Sequence, residues 1–185
     1  TKYNSVKMCI ELLKKTINID NDDLIIEPSA GNGAFISEIK KLNGKKLFYD
    51  ISPEHNEIIK QDYLTLDEQK ILDTKPRCIH LIGNPPFGDY SKLARKFIKK
   101  SCLFADTISF ILPSAFSKTS FLNGQTFNKY FHLIKNVILN DCFTVNGEDH
   151  KVNCVFQIWI KKKTEREKIE KIQPEGFKFI SQSKN

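Results

Sequence analysis

The sequence predicts an α/β chain in which a mostly parallel sheet carries helices on both faces and is closed at its C-terminal end by an antiparallel hairpin. Three observations lead there. Short apolar runs alternate with segments whose apolar residues recur every three or four positions. Glycine or proline cuts the chain after two of those runs, at 31–33 and at 85–86. The last two apolar runs are rich in strand formers and have no helix-length segment between them.

Residues 6–17 place Val6, Ile10, Leu13 and Ile17 at helical spacing, which predicts an amphipathic helix ended by the polar residues 20–23. Leu24-Ile25-Ile26 is a buried strand that stops at Glu27-Pro28, and Gly31-Asn32-Gly33 leads into a helix over 34–39. A second strand over 46–50 ends in Asp50; Ser52-Pro53 is a turn, a short helical stretch runs through Ile58 and Ile59, and a third short strand lies near 59–63. The fourth strand, 78–82, stops at Gly83-Asn84-Pro85-Pro86-Phe87-Gly88, because two prolines cannot continue an interior strand. A helix over 91–104 carries Leu93, Phe97 and Ile98 on one side, and a buried strand over 107–112 is ended by Pro113. Strands alternating with helices imply parallel pairing through right-handed crossovers. Residues 137–145 and 152–160 flank Asn146-Gly147 and are expected to pair antiparallel, with Trp159 in the core. From Lys161-Lys162-Lys163 the chain is charged, with a short helix reaching Ile172 and then Pro174-Glu175-Gly176, and reads as a solvated tail. The expected division is one domain over 1–161 and a tail over 162–185.

At 185 residues and 40% hydrophobic content the chain suits one core. A net charge of +7 favours a polyanionic partner through phosphate neutralisation, although lysine-rich surfaces also serve solubility alone. The five cysteines (Cys9, Cys78, Cys102, Cys142, Cys154) are odd in number and widely spaced, so they read as reduced thiols. His55, His80, His132 and His150 lack zinc-type spacing, and no metal is expected. With no apolar run near the roughly 20 residues of a membrane span and no signal-peptide core, the expectation is a soluble protein of the cytoplasm or nucleus, off the membrane. The start at Thr1 rather than Met suggests a trimmed chain or a fragment.

Two segments carry chemistry. Glu27-Pro28-Ser29-Ala30-Gly31-Asn32-Gly33 sits between a strand and a helix, where glycines allow close approach to a ligand and a helix N-terminus favours a carboxylate. Asn84-Pro85-Pro86-Phe87 follows an apolar strand. An exocyclic amine on an aromatic base is a poor nucleophile, and methyl transfer benefits from two acceptors that hold both of its hydrogens; the Asn84 side-chain oxygen and the Pro85 carbonyl can be those acceptors, with Pro86 stiffening the loop and Phe87 offering a stacking face.

Together these motifs resemble the S-adenosylmethionine-dependent amino-methyltransferases of the N6-adenine type. The resemblance covers residues 2–161 and is specific only at 27–35 and 84–87. It implies a Rossmann-like class I methyltransferase fold with a seven-stranded sheet, S-adenosylmethionine as cofactor, and adenine N6 in DNA or RNA as the target. It places Glu27, Pro28, Ala30, Gly31, Gly33 and Asn84 around the cofactor's methionine end, and Asp50 with Ile51 at its ribose. Asp62 and Tyr63 are placed at its adenine, and Tyr3 with the following helix matches a cofactor-facing N-terminal segment. A plain turn role for Asp50 stays open.

The pattern departs from the family where a target-recognition domain would stand, because the chain beyond Phe87 is nearly consumed by finishing the sheet. Sequence selection then falls to loops, to a partner protein, to flanking segments, or is weak. Substrate contacts are expected from Phe87, from the segment Gly88 to Lys92 just after it and, after the fifth strand, from Ser114 to Gln125, which carries Phe116, Lys118 and Phe121. Lys92, Arg95, Lys96, Lys99 and Lys100 lie at helical spacing and read equally as a phosphate-tracking stripe or as a solvated helix face. Similar Asn-Pro-Pro-aromatic motifs occur in enzymes that methylate guanine N2 of RNA or a protein glutamine amide. An inactive nucleic-acid-binding subunit is a further alternative. A nicotinamide dehydrogenase is disfavoured by Ile36 at its third glycine position.

Overall fold

The computed structural model describes residues 1–140, 143–145, 148–150 and 152–170. Among these residues one sheet contains β1 (Leu24–Glu27), β2 (Lys45–Asp50), β3 (Ile59–Lys60), β4 (Ile79–Gly83), β5 (Thr107–Pro113), β6 (Phe131–Leu139) and β9 (Cys154–Lys161). Their spatial order is β3-β2-β1-β4-β5-β9-β6. The first five strands run parallel, and β9 is antiparallel to both its neighbours. The helices are α1 (Tyr3–Lys14), α2 (Ile36–Ile39), α3 (Glu68–Leu72), α4 (Lys92–Phe104) and α5 (Thr119–Leu122).

Strand alternation sorts the apolar side chains into two cores, one on each face. Leu24 and Ile26 of β1 join Ile108, Phe110 and Leu112 of β5 and Val155 and Trp159 of β9, beneath Phe97, Ile98 and Cys102 of α4 and Ile71 of α3. Ile25, Ile111, Phe156 and Ile158 face the other way, beneath Val6, Ile10 and Leu13 of α1 and Ile36 and Ile39 of α2. Helices therefore cover both faces, as the sequence predicted.

Several local expectations change. α1 begins at Tyr3 rather than residue 6, and α2 at Ile36 rather than 34, because Gly33 and the two residues after it still belong to the turn. Between β2 and β3 there is no helix: the Glu54 N–H is spent on the Gly31 carbonyl (3.0 Å), and Ile59 lies in β3. A helix the sequence reading missed, α3, starts where the Asp67 carboxylate accepts the Gln69 N–H (3.1 Å). The last long pair is β6 with β9, starting at Phe131 and closing at Leu139 opposite Cys154. The runs 137–145 and 152–160 do pair antiparallel, through 137–139 with 154–156, while the residues next to Asn146-Gly147 form a separate ribbon, β7 (Phe143–Val145) with β8 (Glu148–His150), whose turn residues 146–147 lie outside the described residues, as does Cys142.

Residues 162–170 contain no helix and lie along the segment 123–131. Arg166 sits over the Trp159 ring (5.2 Å to its centroid) and donates to the carbonyls of Gly124, Asn128 and Phe131. The expected helix to Ile172 is therefore absent as far as Glu170; residues 171–185, Pro174-Glu175-Gly176 included, lie outside the described residues. Trp159 is buried and stacks on Phe127 at 3.9 Å. Cys78 and Cys102 are free thiols. Among the described residues no helix is long and apolar enough to cross a membrane, and no group of three or more His, Cys, Asp or Glu could hold a metal.

At the end where β1, β4 and β5 begin, Asp23 is fully buried and accepts from Arg77 Nε (2.9 Å) and Nη2 (2.7 Å). His80 bridges Asp23 (3.1 Å) and Thr107 (2.8 Å). Burial opposes ionisation of Asp23, yet the bonds from Arg77, the Asp20 N–H and His80 hold its carboxyl below the ordinary value. Replacing Asp23 by Ala removes the acceptor of four donors, two on Arg77, the buried His80 ring and the Asp20 amide, and should cost about 2–3 kcal/mol in urea unfolding. Asp20→Ala, which removes the half-exposed pair with Arg77 and an exposed bond from Asn18 Nδ2, should cost under about 1 kcal/mol. Equal losses would show that the buried network contributes nothing special.

Candidate active site

Parallel strands bring their C-terminal ends to one edge of the sheet. The chain leaves β1 toward β2 on one side and β4 toward β5 on the other, so the crevice where such sheets take ligands lies between β1 and β4. Glu27 ends β1, Asp50 ends β2 and Asn84 follows β4, so parallel register gathers them at that crevice.

The turn after β1 requires glycine twice, with φ of +52° at Gly31 and +81° at Gly33. A Cβ on Gly33 would also stand 2.9 Å from Ile36 Cδ1. The Gly31 N–H donates to Asp50 Oδ2 and the Ser52 N–H to Oδ1, both at 2.8 Å. Backbone donors thus aim the Asp50 carboxylate while each oxygen keeps a further lone pair for a ligand hydroxyl. Pro28 and Ala30 are buried behind the turn, and Ile51 is exposed at its rim. The four residues of α2 form too short a helix to supply the dipole that the sequence reading assigned to it.

Two acceptors here are buried without a partner. Glu27 Oε2 and Asn84 Oδ1 accept nothing, although Asn84 is otherwise held: its Nδ2 donates to Thr1 Oγ1, and its carbonyl accepts from Ser29 Oγ, both at 3.2 Å. Burial, then the nearby Asp50 charge, pushes the Glu27 carboxyl well above its ordinary 4.5. Gly83, which the sequence reading passed over, makes room for it: with φ +151°, a Cβ there would press within 3.2 Å of Glu27 Cγ. Its only sequence signal is a glycine directly before Asn84.

Pro85 is buried and Pro86 exposed. Phe87 is half-buried against both cores, and its carbonyl accepts the Leu93 and Ala94 N–H groups (3.2 and 3.3 Å), which fastens the loop to the start of α4. Gly88 has φ +63°, and Lys92 is exposed. Lys118 is exposed after β5, where Phe116 is buried and Phe121 lies beneath the Arg95 guanidinium (4.6 Å).

One expected site residue sits otherwise. Tyr63 is a core residue, stacked on Phe97 at 5.3 Å with its hydroxyl bonded to Ser101, so it offers no face to a ligand. Asp62 is exposed, and its Oδ1 accepts the Leu64 N–H (2.9 Å). The Tyr3 hydroxyl donates to Glu38 (2.8 Å) and so ties α1 to α2. A cleft of about 550 Å³ at the opposite end of the sheet is lined by Asn128, Lys129, Glu165 and Arg166, and of the expected segments it is bordered by the end of 114–125, at Asn123, Gly124 and Gln125.

No family model matches the sequence, and no curated protein matches it. Solved structures do. A Pyrococcus horikoshii protein assigned as an RNA methyltransferase superposes with a TM-score of 0.65 at 14% identity, over 85% of this chain and 83% of its own. The modification subunit assigned to a type I restriction enzyme of Vibrio vulnificus gives 0.61 at 13%, over 87% and 44%. The type IIL restriction-modification enzyme MmeI, solved with DNA, gives 0.58 at 12%, over 88% and 34%. This chain has the class I methyltransferase fold. It spans less than half of the two restriction-modification proteins.

Because its folded pKa is raised, Glu27 weighs against the ligand-free fold as pH rises past its unfolded value of 4.5. Glu27→Gln should therefore melt higher than the parent at pH 7–8, with the gap closing below about pH 4. A gap of the opposite sign would mean that Glu27 is ionised and paired.

Proposed function

We propose that this chain is an S-adenosylmethionine-dependent methyltransferase whose target is the N6 amine of adenine in nucleic acid, DNA ahead of RNA. The observation that carries the reading is the buried, unpartnered Asn84 Oδ1 beside the equally unpartnered Glu27 Oε2. A buried carboxyl with an unused acceptor suits an ammonium, whose positive charge would favour the carboxylate, so that Glu27 loses its proton to solvent and forms a charge-assisted bond. The methionine amine of the cofactor is such a group. Gly31 and Gly33 allow its close approach, Asp50 accepts its ribose hydroxyls, and Asp62 its adenine amine. When bound, S-adenosylmethionine supplies a methyl group on positively charged sulfur.

The chain's own part is to hold the target nitrogen. Asn84 Oδ1 and the Pro85 carbonyl accept its two hydrogens and favour a pyramidal nitrogen with its lone pair directed away from the ring. Thr1 occupies Asn84 Nδ2, which leaves the oxygen end of the amide for the substrate. No side chain need act as a base, since the proton can leave once the methyl has arrived. An RNA target, adenine or guanine N2, is the second reading, favoured by Phe87-Gly88 and by the likeness to the Pyrococcus protein. Either way the chain works inside the cell, and target selection falls to its loops or to a partner protein.

Transfer of labelled methyl to matched DNA and RNA oligonucleotides, followed by nucleoside digestion and mass spectrometry, tests this. N6-methyladenine is expected. Cofactor binding with no labelled nucleoside from either polymer would overturn it. Asn84→Ala should lower turnover at least about a hundredfold with cofactor affinity nearly unchanged, whereas Asp50→Ala should weaken the cofactor first.

A further inference from the structure

Beside the candidate catalytic loop, the ring that faces solvent is not Phe87 but Tyr90, which is 90% exposed. Its backbone is costly: Tyr90 and its neighbour Ser91 both adopt positive φ, +50° and +60°, directly after Gly88 at +63°. Non-glycine residues in that region cost on the order of 1 kcal/mol each and persist where surrounding structure imposes them. The imposing contacts are present. Ser91 N–H returns to the Gly88 carbonyl (3.2 Å), and the Phe87 carbonyl holds the first turn of α4. Tyr90 thus stands on a constrained stretch of backbone, with its ring presented to solvent two residues before a helix.

That helix supplies matching charge. Lys92, Lys96 and Lys99 recur at i, i+4 and i+7 on the exposed side of α4, and among the described residues none of them pairs with a carboxylate, whereas Lys100 is taken by Glu68. They span about 10 Å of helix, enough for two or three successive phosphates of a strand. Arg95 is held apart from this row by Phe121.

We infer that Tyr90 stacks an unpaired base next to the target while Lys92, Lys96 and Lys99 follow the strand's phosphates, so that the chain takes single-stranded or locally opened nucleic acid. The inference rests on the proposed activity only for the identity of the target. Base stacking is sequence-tolerant, which suits a chain whose loops are short.

The test is fluorescence anisotropy with labelled 12-mers of one adenine-containing sequence, as single-stranded DNA, single-stranded RNA and duplex DNA. The parent should bind at least one single strand more tightly than the duplex. Tyr90→Ala should weaken that binding at least about fivefold, and Tyr90→Trp should retain it, because the face and not the hydroxyl is used. Tyr90→Gly should weaken binding equally while melting no lower than the parent, since glycine relieves the positive φ. Substitution of Lys96 by Ala should lower the slope of log affinity against log salt by about 0.7. Unchanged affinity in Tyr90→Ala, or a parent that prefers the duplex or binds none of the three, would overturn the inference. Tight, Tyr90-dependent binding with no methyl transfer would instead sink the proposed activity and leave this one standing.

Discussion

Two buried oxygens without a donor, Glu27 Oε2 and Asn84 Oδ1, set the terms for the rest of the molecule. An unsatisfied buried polar group costs about 1–3 kcal/mol, a large share of the stability of a small domain. Such a pair persists only if the strands carrying it cannot move to satisfy it. β1 and β4 are the central strands, covered on both faces and hydrogen-bonded along both edges, so neither can shift to give these oxygens a partner. The sheet order is what makes the acceptors available.

Stability and chemistry are divided between the two ends of that sheet. Where the strands begin, the buried charge of Asp23 is met by Arg77, His80 and the Asp20 amide. Where the strands end, acceptors are left open, glycines sit at positive φ, and Tyr90 and Ser91 carry backbone strain. The satisfied network holds the ends of β1, β4 and β5 together, so unsatisfied groups can be tolerated a few residues further along the same strands. Gln157 plays a similar part near the loop after β5. Fully buried in β9, it gives its amide N–H groups to the Phe116 carbonyl and Asn136 and accepts from Trp159, fixing where Phe121 and Arg95 meet.

The parts of the fold legible in the sequence were those where chemistry leaves few options. Pro85-Pro86 had to end β4, the glycines had to turn the chain after β1, and the apolar run 107–112 had to be interior. What misled were segments whose structure is decided by distant partners. Residues 53–59 looked helical, but Glu54 is bound to Gly31 from across the turn. The start of β6 hid because it is an edge strand with a bulge between Leu133 and Lys135 and an exposed face carrying Lys135 and Asn136, which blurs the alternation of a strand. Tyr63 matched a motif by position, yet its ring was claimed by Phe97 and Phe104. Arg166 lay in a stretch that reads as solvated, and its three carbonyl acceptors come from residues 35 to 42 positions earlier.

The strained loop also bears on how this domain could hold a substrate through its own loops. A flexible tyrosine at the rim would lose conformational entropy on stacking, which offsets much of the gain. Holding Tyr90 in one backbone state places that cost in the folded protein, where the Gly88 and Phe87 carbonyl bonds and the packing of Leu93 against Gly88 already sustain it. The same carbonyl of Phe87 fixes both the loop that carries Asn84 and the helix that carries the lysine row. Movement of Tyr90 relative to Asn84 is thereby restricted, so a base stacked on the one and an amine held by the other would be registered by a single short rigid segment. Discrimination against paired duplex then comes from geometry and unstacking cost, not from base-edge contacts.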